Sequence, residues 1–497
     1  MMRLFNFNLS LSFKFYWTLV ILHIFAPTNT IAMRKIFLLT ICLAMLGLSA
    51  EARKVKGTVT SEGKGLGKVL VTDGQTFTQT KKNGSFSFEI ADSAEFVYII
   101  TPAGYAADWS KGSPQFYRAT KDTDKFSFDL IKVGDPNGVY NIIGVGDPQP
   151  RSDAHFEEFA DRPLNDICKT VEELEGQTVG IVLGDICYDV LPLQKRWKEE
   201  IVRTKIPFYP SIGNHDHDKA FQNDAQAPHA YKANFGPTNY AFFIGKDLVI
   251  ILDNIIYHSR SGYKEGYTDE IIEWVGGLME YVDNKADIYV GQHSPLNGRN
   301  NLKMVINHEK MLDLLSGHKV TFLSGHNHIN GIFEYAPGVI EHNIAAICGT
   351  WWDTYHCTDG TPRGYKVFTK KDGELTWYYK SIDKDKDFQY EVFMPGTTKL
   401  HPEHLVISVW DIDPLWTIEW LEDGKEMGKM EQVEEYSPFH IKELAKRYEG
   451  TGRQPSAHKY TRAVTHHFAA KPSDEAKEIT IVITNRFGKT WKETIKL

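Results

Sequence analysis

Five short clusters of oxygen and nitrogen donors fall in order between Asp147 and His328. They read Gly146-Asp147-Pro148-Gln149, Gly184-Asp185-Ile186-Cys187-Tyr188-Asp189, Gly213-Asn214-His215-Asp216, Gly291-Gln292-His293 and Gly325-His326-Asn327-His328. A site for a pair of cations needs about seven such donors, with one carboxylate shared between the ions. Asp147, Gln149, Asp185, Asn214, His293, His326 and His328 make up that set. Two carboxylates brought together repel unless cations neutralise them. A lone histidine near a strand end is ordinarily a satisfied polar group, so the signal lies in the ordered set rather than in any one member.

Most of the clusters sit where an apolar run breaks at glycine. The runs are Tyr140 to Val145, Val179 to Leu183, Phe208 to Ile212, Ile288 to Val290 and Val320 to Leu323. In an open α/β sheet ligands bind beyond the carboxyl ends of the strands. Asp147 and Asp185 therefore end adjacent strands, and extended backbone at His326 and His328 would turn both imidazoles to one side. Helical spacing marks Ala154 to Glu175 and Thr268 to Val282, and Gly245-Lys246 turns a hairpin between Tyr240–Ile244 and Leu248–Leu252. Residues 136–380 thus alternate strands and helices, which predicts stacked sheets flanked by helices. Residues 53–132 read as a β-sandwich, with strands at Val55–Val59, Val69–Thr72, Thr76–Thr80 and Phe86–Ile90 punctuated by Asp73-Gly74 and Asn83-Gly84. Residues 385–497 read as a second β-rich domain, with strands at Leu405–Trp410, Thr417–Trp420 and Ile479–Thr484 and helical spacing at His440–Tyr448.

The block from Asp147 to His328 resembles the calcineurin-like metallophosphoesterases, whose pattern is DxH, GDxxxD, GNH[DE], H and GHxH. The resemblance implies an α/β, four-layer αββα sandwich flanked by the two β domains. It also implies hydrolysis of phosphate mono- or diesters by a metal-activated water at two divalent ions (Mn, Zn, Fe or Mg). Carried over, Asp147, Asp185 and His328 hold the first ion, and Asp185, Asn214, His293 and His326 hold the second, with Asp185 bridging. Gln149 stands where the family has His, in the DPQ form that some members carry; a neutral amide oxygen is a weaker ligand than imidazole. The GDxxY spelling and Val290-Gly291-Gln292-His293 also match purple acid phosphatases, in which the tyrosine binds iron(III). Tyr188 is either such a ligand or a residue packed beneath the site. The family makes His215 a general acid or phosphoryl clamp, and Asp216 is expected to accept its second ring N–H. Asp189 would support a ligand or a helix end. The loop carrying His229 is long enough to line the cleft, whereas His217 and Asp218 read as loop residues. Trp351 and Trp352 would stack a sugar, base or lipid headgroup, or else lie in the core, and Arg363 would bind a phosphate or sugar oxygen. The stretch beginning at Lys56-Gly57-Thr58 resembles the carboxypeptidase regulatory-like (transthyretin-like) sandwich, which implies a structural or interaction module.

With 497 residues, a net charge of −8, 24% charged and 42% hydrophobic residues, the chain is ordinary for a globular protein and holds no long basic tract. Nucleic acid is therefore not favoured as a partner, and binding of a phosphorylated small molecule, glycan or lipid headgroup must be local. Arg34-Lys35, the apolar stretch Ile36 to Leu48 and Ala50-Glu51-Ala52 spell a secretory leader starting at Met33, so residues 1–52 read as a targeting segment and the mature chain as periplasmic or secreted, without a stable membrane span. Cys168, Cys187, Cys348 and Cys357 would remain, as disulfides or as buried thiols. The alternative to an enzyme is a non-catalytic binding or adhesion protein on a degenerate phosphoesterase scaffold, which Gln149 alone favours.

Overall fold

In the computed structural model, residues 52–121, 123–259, 262–299 and 303–497 are described. The leader expected within residues 1–52 lies outside them, apart from Ala52, which opens the first strand. Two sheets form the centre. One is ordered Phe208–Ser211, Gln177–Leu183, Tyr140–Val145, Gly364–Lys371 and Glu374–Ser381; its first three strands run parallel. The other is ordered Tyr240–Ile244, Asp247–Ile251, Ile288–Gly291, Val320–Ser324, Val339–Asn343 and Gly331–Ala336. The two strands at Gly364–Lys371 and Glu374–Ser381 were not anticipated from sequence.

The period-2 alternation of the strands sets the layers. Val179, Ile181 and Leu183 join Val249, Ile251 and Val290 in the core between the sheets. Val182, Ile143 and Val145 face the other way, onto Phe156, Phe159, Ile167 and Trp197 of the helices. Trp274, Val275 and Leu278 of the helix Asp269–Met279 cover the second sheet. The result is helix, sheet, sheet, helix: the mixed α/β sandwich expected. The helix expected from Ala154 to Glu175 is two, Asp153–Asp161 and Pro163–Glu173. Pro163 lacks an N–H and its ring disfavours helical backbone before it, so the chain breaks at Arg162 and restarts with Pro at the first turn.

Sheets of four or five strands lie on either side of this core in sequence. The N-terminal region pairs Ala52–Ser61 with Lys125–Lys132 in one sheet and Leu70–Thr72 with Phe96–Ile100 in another. It packs on the core through Phe116 on Tyr240, 4.7 Å between ring centroids, and Phe77 on Trp274, 6.0 Å. The C-terminal region stacks two four-stranded sheets around Leu405, Ile407, Ile418, Ile479 and Ile481 and adds the helix Pro438–Tyr448. Cys168, Cys187, Cys348 and Cys357 are free thiols. Among the described residues no helix is long and apolar enough to cross a membrane.

Candidate metal centre

The donor clusters meet at one edge of the two sheets because the parallel pairings place their strand ends side by side: Val145 is paired with Val182, and Gly291 with Leu323. Each chain then turns sharply. Asp147 (φ 43°), Gln149 (φ 43°), Asp185 (φ 51°), His326 (φ 68°) and His328 (φ 52°) all lie in the left-handed region. The extended backbone expected at His326 and His328 is therefore not what aims their rings; two left-handed residues do. Such backbone costs on the order of 1–3 kcal/mol per residue and persists where surrounding contacts over-determine it. Those contacts are present: Asp147 Oδ2 accepts from His326 N at 2.8 Å, Asp185 Oδ1 from His215 N at 2.8 Å, and Asp185 O from Gln149 N at 3.0 Å.

The side-chain donors converge in two sets. His293 Nε2 lies 3.0 Å from Asn214 Oδ1, 3.0 Å from His326 Nδ1 and 3.4 Å from Asp185 Oδ1. Ligand atoms about 2.1 Å from one cation sit about 3.0–3.4 Å from one another, so this spacing fits a shared ion. The tautomers fit as well. His293 Nδ1 faces the Leu183 carbonyl at 2.7 Å and His326 Nε2 faces Glu265 Oε1 at 3.0 Å, so each ring can donate its far N–H and present the opposite nitrogen to the ion. Glu265 was missed in the sequence because it comes from the short strand Tyr263–Glu265, outside every motif. On the other side, His328 Nε2 stands 3.4 Å from Asp147 Oδ1, a contact that is not a hydrogen bond. Gln149 Nε2 donates to Asp185 Oδ2 at 2.5 Å. Asp147 Oδ1 and Gln149 Oε1 are buried with no hydrogen-bond partner, as expected of oxygens meant for a cation.

Burial opposes charge on these groups, and their neighbours decide the outcome. Desolvation would raise Asp185, but His293 and His215 hold it well below the usual carboxylate range. Desolvation would lower His293 and His328, but Asp185 and Asp147 lift them to about 9 and about 10 respectively. Metal-free, the imidazoles supply the positive charge that the paired carboxylates require.

Three family descriptions match the chain: the N terminal of calcineurin-like phosphoesterase over residues 53–133, calcineurin-like phosphoesterase over 140–330, and the C terminal of calcineurin-like phosphoesterase over 341–491. The chain belongs to the calcineurin-like phosphoesterases. It is a metal-dependent hydrolase of phosphate esters. The N-terminal sandwich, likened above to a carboxypeptidase regulatory-like domain, is matched as this family's own N-terminal part. Similar solved structures include a dimetal phosphatase from Danio rerio, 13% identical, covering 50% of this chain and 98% of that one at a TM-score of 0.36. A 5'-nucleotidase precursor from Thermus thermophilus is 14% identical, with 49% and 54% covered and a TM-score of 0.31. A 5'-nucleotidase from Candida albicans is 12% identical, with 49% and 52% covered and a TM-score of 0.32. The match spans about half the length of each nucleotidase. No curated protein matches.

The phosphoesterase's donor sets floor a cavity of about 300 Å³. His215 lines it, its ring stacked on Tyr188 at 4.0 Å. The partner of His215 Nδ1 is Asp189 Oδ1, at 2.8 Å, and Asp189 Oδ2 in turn accepts from Lys219 Nζ at 2.6 Å. Asp216, expected in that orienting role, is turned away: it is fully buried and accepts from the backbone N–H groups of Gly213, Ile186 and Cys187 at 3.0, 3.1 and 3.3 Å. Its carboxylate ties the Asp185 loop to the Asn214 loop, and the tight turn that puts Asn214 and His215 at the cavity points the next side chain inward. Burial and the charge of Asp185 raise it to about 6.

The two tryptophans separate. Trp351 lines the cavity, stacked on His328 at 4.6 Å. Trp352 is core, its Nε1 donating to the Pro148 carbonyl at 3.0 Å and so bracing the first motif. Arg363, expected on substrate, is buried beneath: its Nε donates to Thr354 O at 3.0 Å, Nη1 pairs with Glu158 Oε1 at 2.5 Å, and the guanidinium lies over Trp352. Strand Gly364–Lys371 begins at the next residue, which draws Arg363 into the protein rather than the cleft. His229 starts a helix and pairs with Asp218 at 2.8 Å, apart from the cavity lining, and His217 is buried against Tyr257. Sequence reasoning missed Lys219, Tyr257, Tyr263, Arg299, His458 and Arg462, all of which line the cavity. Lys219, four residues after His215, was within reach of the motif; His458 and Arg462 had no local signal.

Proposed function

We propose that this phosphoesterase is an exported enzyme that hydrolyses phosphate mono- or diesters with two divalent cations. Asp147, Gln149, Asp185 and His328 would hold one ion, and Asp185, Asn214, His293 and His326 the other. The observation that carries the reading is the meeting of both donor sets at Asp185 on the floor of the cavity that His215 lines. When bound, the cations supply Lewis acidity toward phosphoryl oxygens and lower the pKa of a water. The chain's own part centres on His215. With Asp189 as the partner of Nδ1, the ring is oriented and Nε2 is left as the atom that can hand a proton to a leaving oxygen. Tyr188 fixes the ring plane by stacking, and Trp351 walls the opposite side beside His328. Export is supported by the leader-like residues 33–52.

The test is hydrolysis of paired chromogenic mono- and diesters by manganese-loaded protein, with Asp185→Asn as the blank and bound metal measured alongside. Activity lost in the blank supports the reading, and the preferred ester names the substrate class. His215→Ala should keep its metal and lose most turnover. Protein that neither binds metal nor turns over either ester is a degenerate scaffold, and the proposal fails. Export is tested separately, by N-terminal sequencing of the secreted or periplasmic protein, with a start at Arg53 expected.

A further inference from the structure

The two donor sets are not equally prepared for an ion. Asp185, His293 and His326 each bring a ligand atom within 4.8 Å of the others, and no other trio of carboxylate, imidazole or thiol groups does so among the described residues. Asp147, Asp185 and His328 are therefore more widely spread. The two histidines of the gathered set are also anchored from behind, His293 by the Leu183 carbonyl at 2.7 Å and His326 by Glu265 Oε1 at 3.0 Å. Glu265 is itself held in place, because its Oε2 accepts from Arg299 N at 2.9 Å. His328 lacks comparable support. Its Nδ1 is buried without a conventional hydrogen-bond partner, and the Cys348 thiol beside the ring is a weak one.

The shared carboxylate favours the same set. Asp185 Oδ1 lies 3.4 Å from His293 Nε2 and accepts from His215 N. Its Oδ2, the oxygen left for the ion beside Asp147, already accepts from Gln149 Nε2 at 2.5 Å. A bridging carboxylate offers one oxygen to each ion, so an ion at Asp147 and His328 competes with that bond for Oδ2. Gln149 itself has only a neutral amide oxygen to give, a weaker ligand than imidazole for transition metals. A carboxylate behind a ligating imidazole has the opposite effect: it fixes the tautomer and raises the basicity of the nitrogen that faces the ion.

We propose that the two ions are held unequally. The set Asp185, Asn214, His293 and His326 takes the tighter ion, with Glu265 as the positioning residue behind His326, and the set containing Gln149 fills second and more weakly. This rests on the two-cation reading of the site and deepens it. The site is then complete only at metal concentrations that fill the weaker set.

The test is a calorimetric titration of the metal-free full chain with manganese, repeated with cobalt while its visible absorption is followed. The wild type should take up two ions in separate phases, about tenfold or more apart in affinity. Glu265→Ala should weaken the tighter phase by about ten- to a hundred-fold and alter the cobalt spectrum of that first ion. Glu265→Gln, which keeps a neutral acceptor for His326, should recover part of the loss. Gln149→His should strengthen the weaker phase and leave the tighter one in place. Melting curves confirm that each variant is folded. Two equal phases in the wild type, a tighter phase unmoved in Glu265→Ala, or a tighter phase that shifts in Gln149→His overturns the proposal. Hydrolysis of a chromogenic monoester by the same preparations separates the two readings. Turnover with two equal ions sinks only the unequal loading; unequal loading without turnover leaves the ion sites and sinks the enzyme.

Discussion

Asp189 and Asp216 are both carboxylates beside His215, and the structure gives them opposite duties that mutation can tell apart. Asp189 lies 2.8 Å from His215 Nδ1, with the two side chains 33% and 17% exposed. A hydrogen bond to a charged group contributes about 1.5–3 kcal/mol net, and partial exposure argues for the lower end. Asp189→Asn keeps the shape but replaces the charged partner of His215 Nδ1 with a neutral one. About 1.5 kcal/mol lost from the transition state is about a tenfold fall in kcat. Melting temperature and bound metal should hardly change. Asp216→Ala instead leaves the buried N–H groups of Gly213, Ile186 and Cys187 without their acceptor. At about 1–3 kcal/mol for each unsatisfied donor, with some relief from relaxation, the loss is about 3 kcal/mol or more. It should appear as a lower melting temperature and weakened metal binding, because the two tied loops carry Asp185 and Asn214. The assay is kcat and KM on a chromogenic ester, with thermal melts and metal analysis on the same samples. A kcat unchanged in Asp189→Asn, together with an Asp216→Ala protein that melts like wild type but has lost turnover, would refute this assignment and restore Asp216 as the orienting group.

Other consequences follow from the same geometry. Manganese at about a hundredfold its dissociation constant should stabilise the protein by about 2.7 kcal/mol, and a chelator should reverse the shift in a thermal melt. Gly213→Ala should lose metal, since a Cβ there would stand 2.2 Å from both Asp185 N and Asp185 Oδ1; metal content near wild type would contradict that crowding. His356, buried between Glu391 Oε1 at 3.2 Å and Glu443 Oε1 at 2.9 Å, is lowered by burial but raised further by the two carboxylates, to about 9. Its folded pKa lies above the ordinary value of 6.5, so its stabilising charge is fully present below that value and is lost as pH rises through about 9. The melting-temperature gap between wild type and His356→Gln should therefore be wide at pH 6 and narrow at pH 10.

The donors that meet at the cavity were legible because each is local. A strand ending at glycine, with Asp, Asn or His next to it, states its role within four or five residues, and the parallel order of the strands brings those ends together. The layers were legible for the same reason: alternation along Val179–Leu183 and helical spacing along Thr268–Val282 depend on neighbours in sequence. The strands Gly364–Lys371 and Glu374–Ser381 form a local hairpin whose signal, Asp372-Gly373 between them, was overlooked; what was hidden is the placement of Gly364–Lys371 beside Tyr140–Val145, a pairing across more than two hundred residues. The split helix had its signal in Pro163, which periodicity alone outweighed.

What the chain's sequence determined by itself was the chemistry available: two carboxylates, an amide pair and three imidazoles at strand ends, and a histidine beside them. Which carboxylate serves that histidine was decided by the fold, since the turn at Asn214 and His215 directs Asp216 inward and leaves Asp189 at the ring. Whether Trp351 or Trp352 meets a ligand was likewise decided by packing, which sinks Trp352 against Pro148 and Arg363. The part of the cavity lined from the C-terminal domain is the furthest from sequence. His458 and Arg462 reach the cleft only because buried polar links dock the C-terminal domain, among them Lys366 with Asp411 at 2.5 Å and Asn330 with the Trp410 carbonyl at 2.7 Å. Residue type and short spacing specify donors, because coordination and hydrogen bonding are short-ranged; which donors face one another depends on contacts between segments far apart in the chain, and those exist only once the domains have packed.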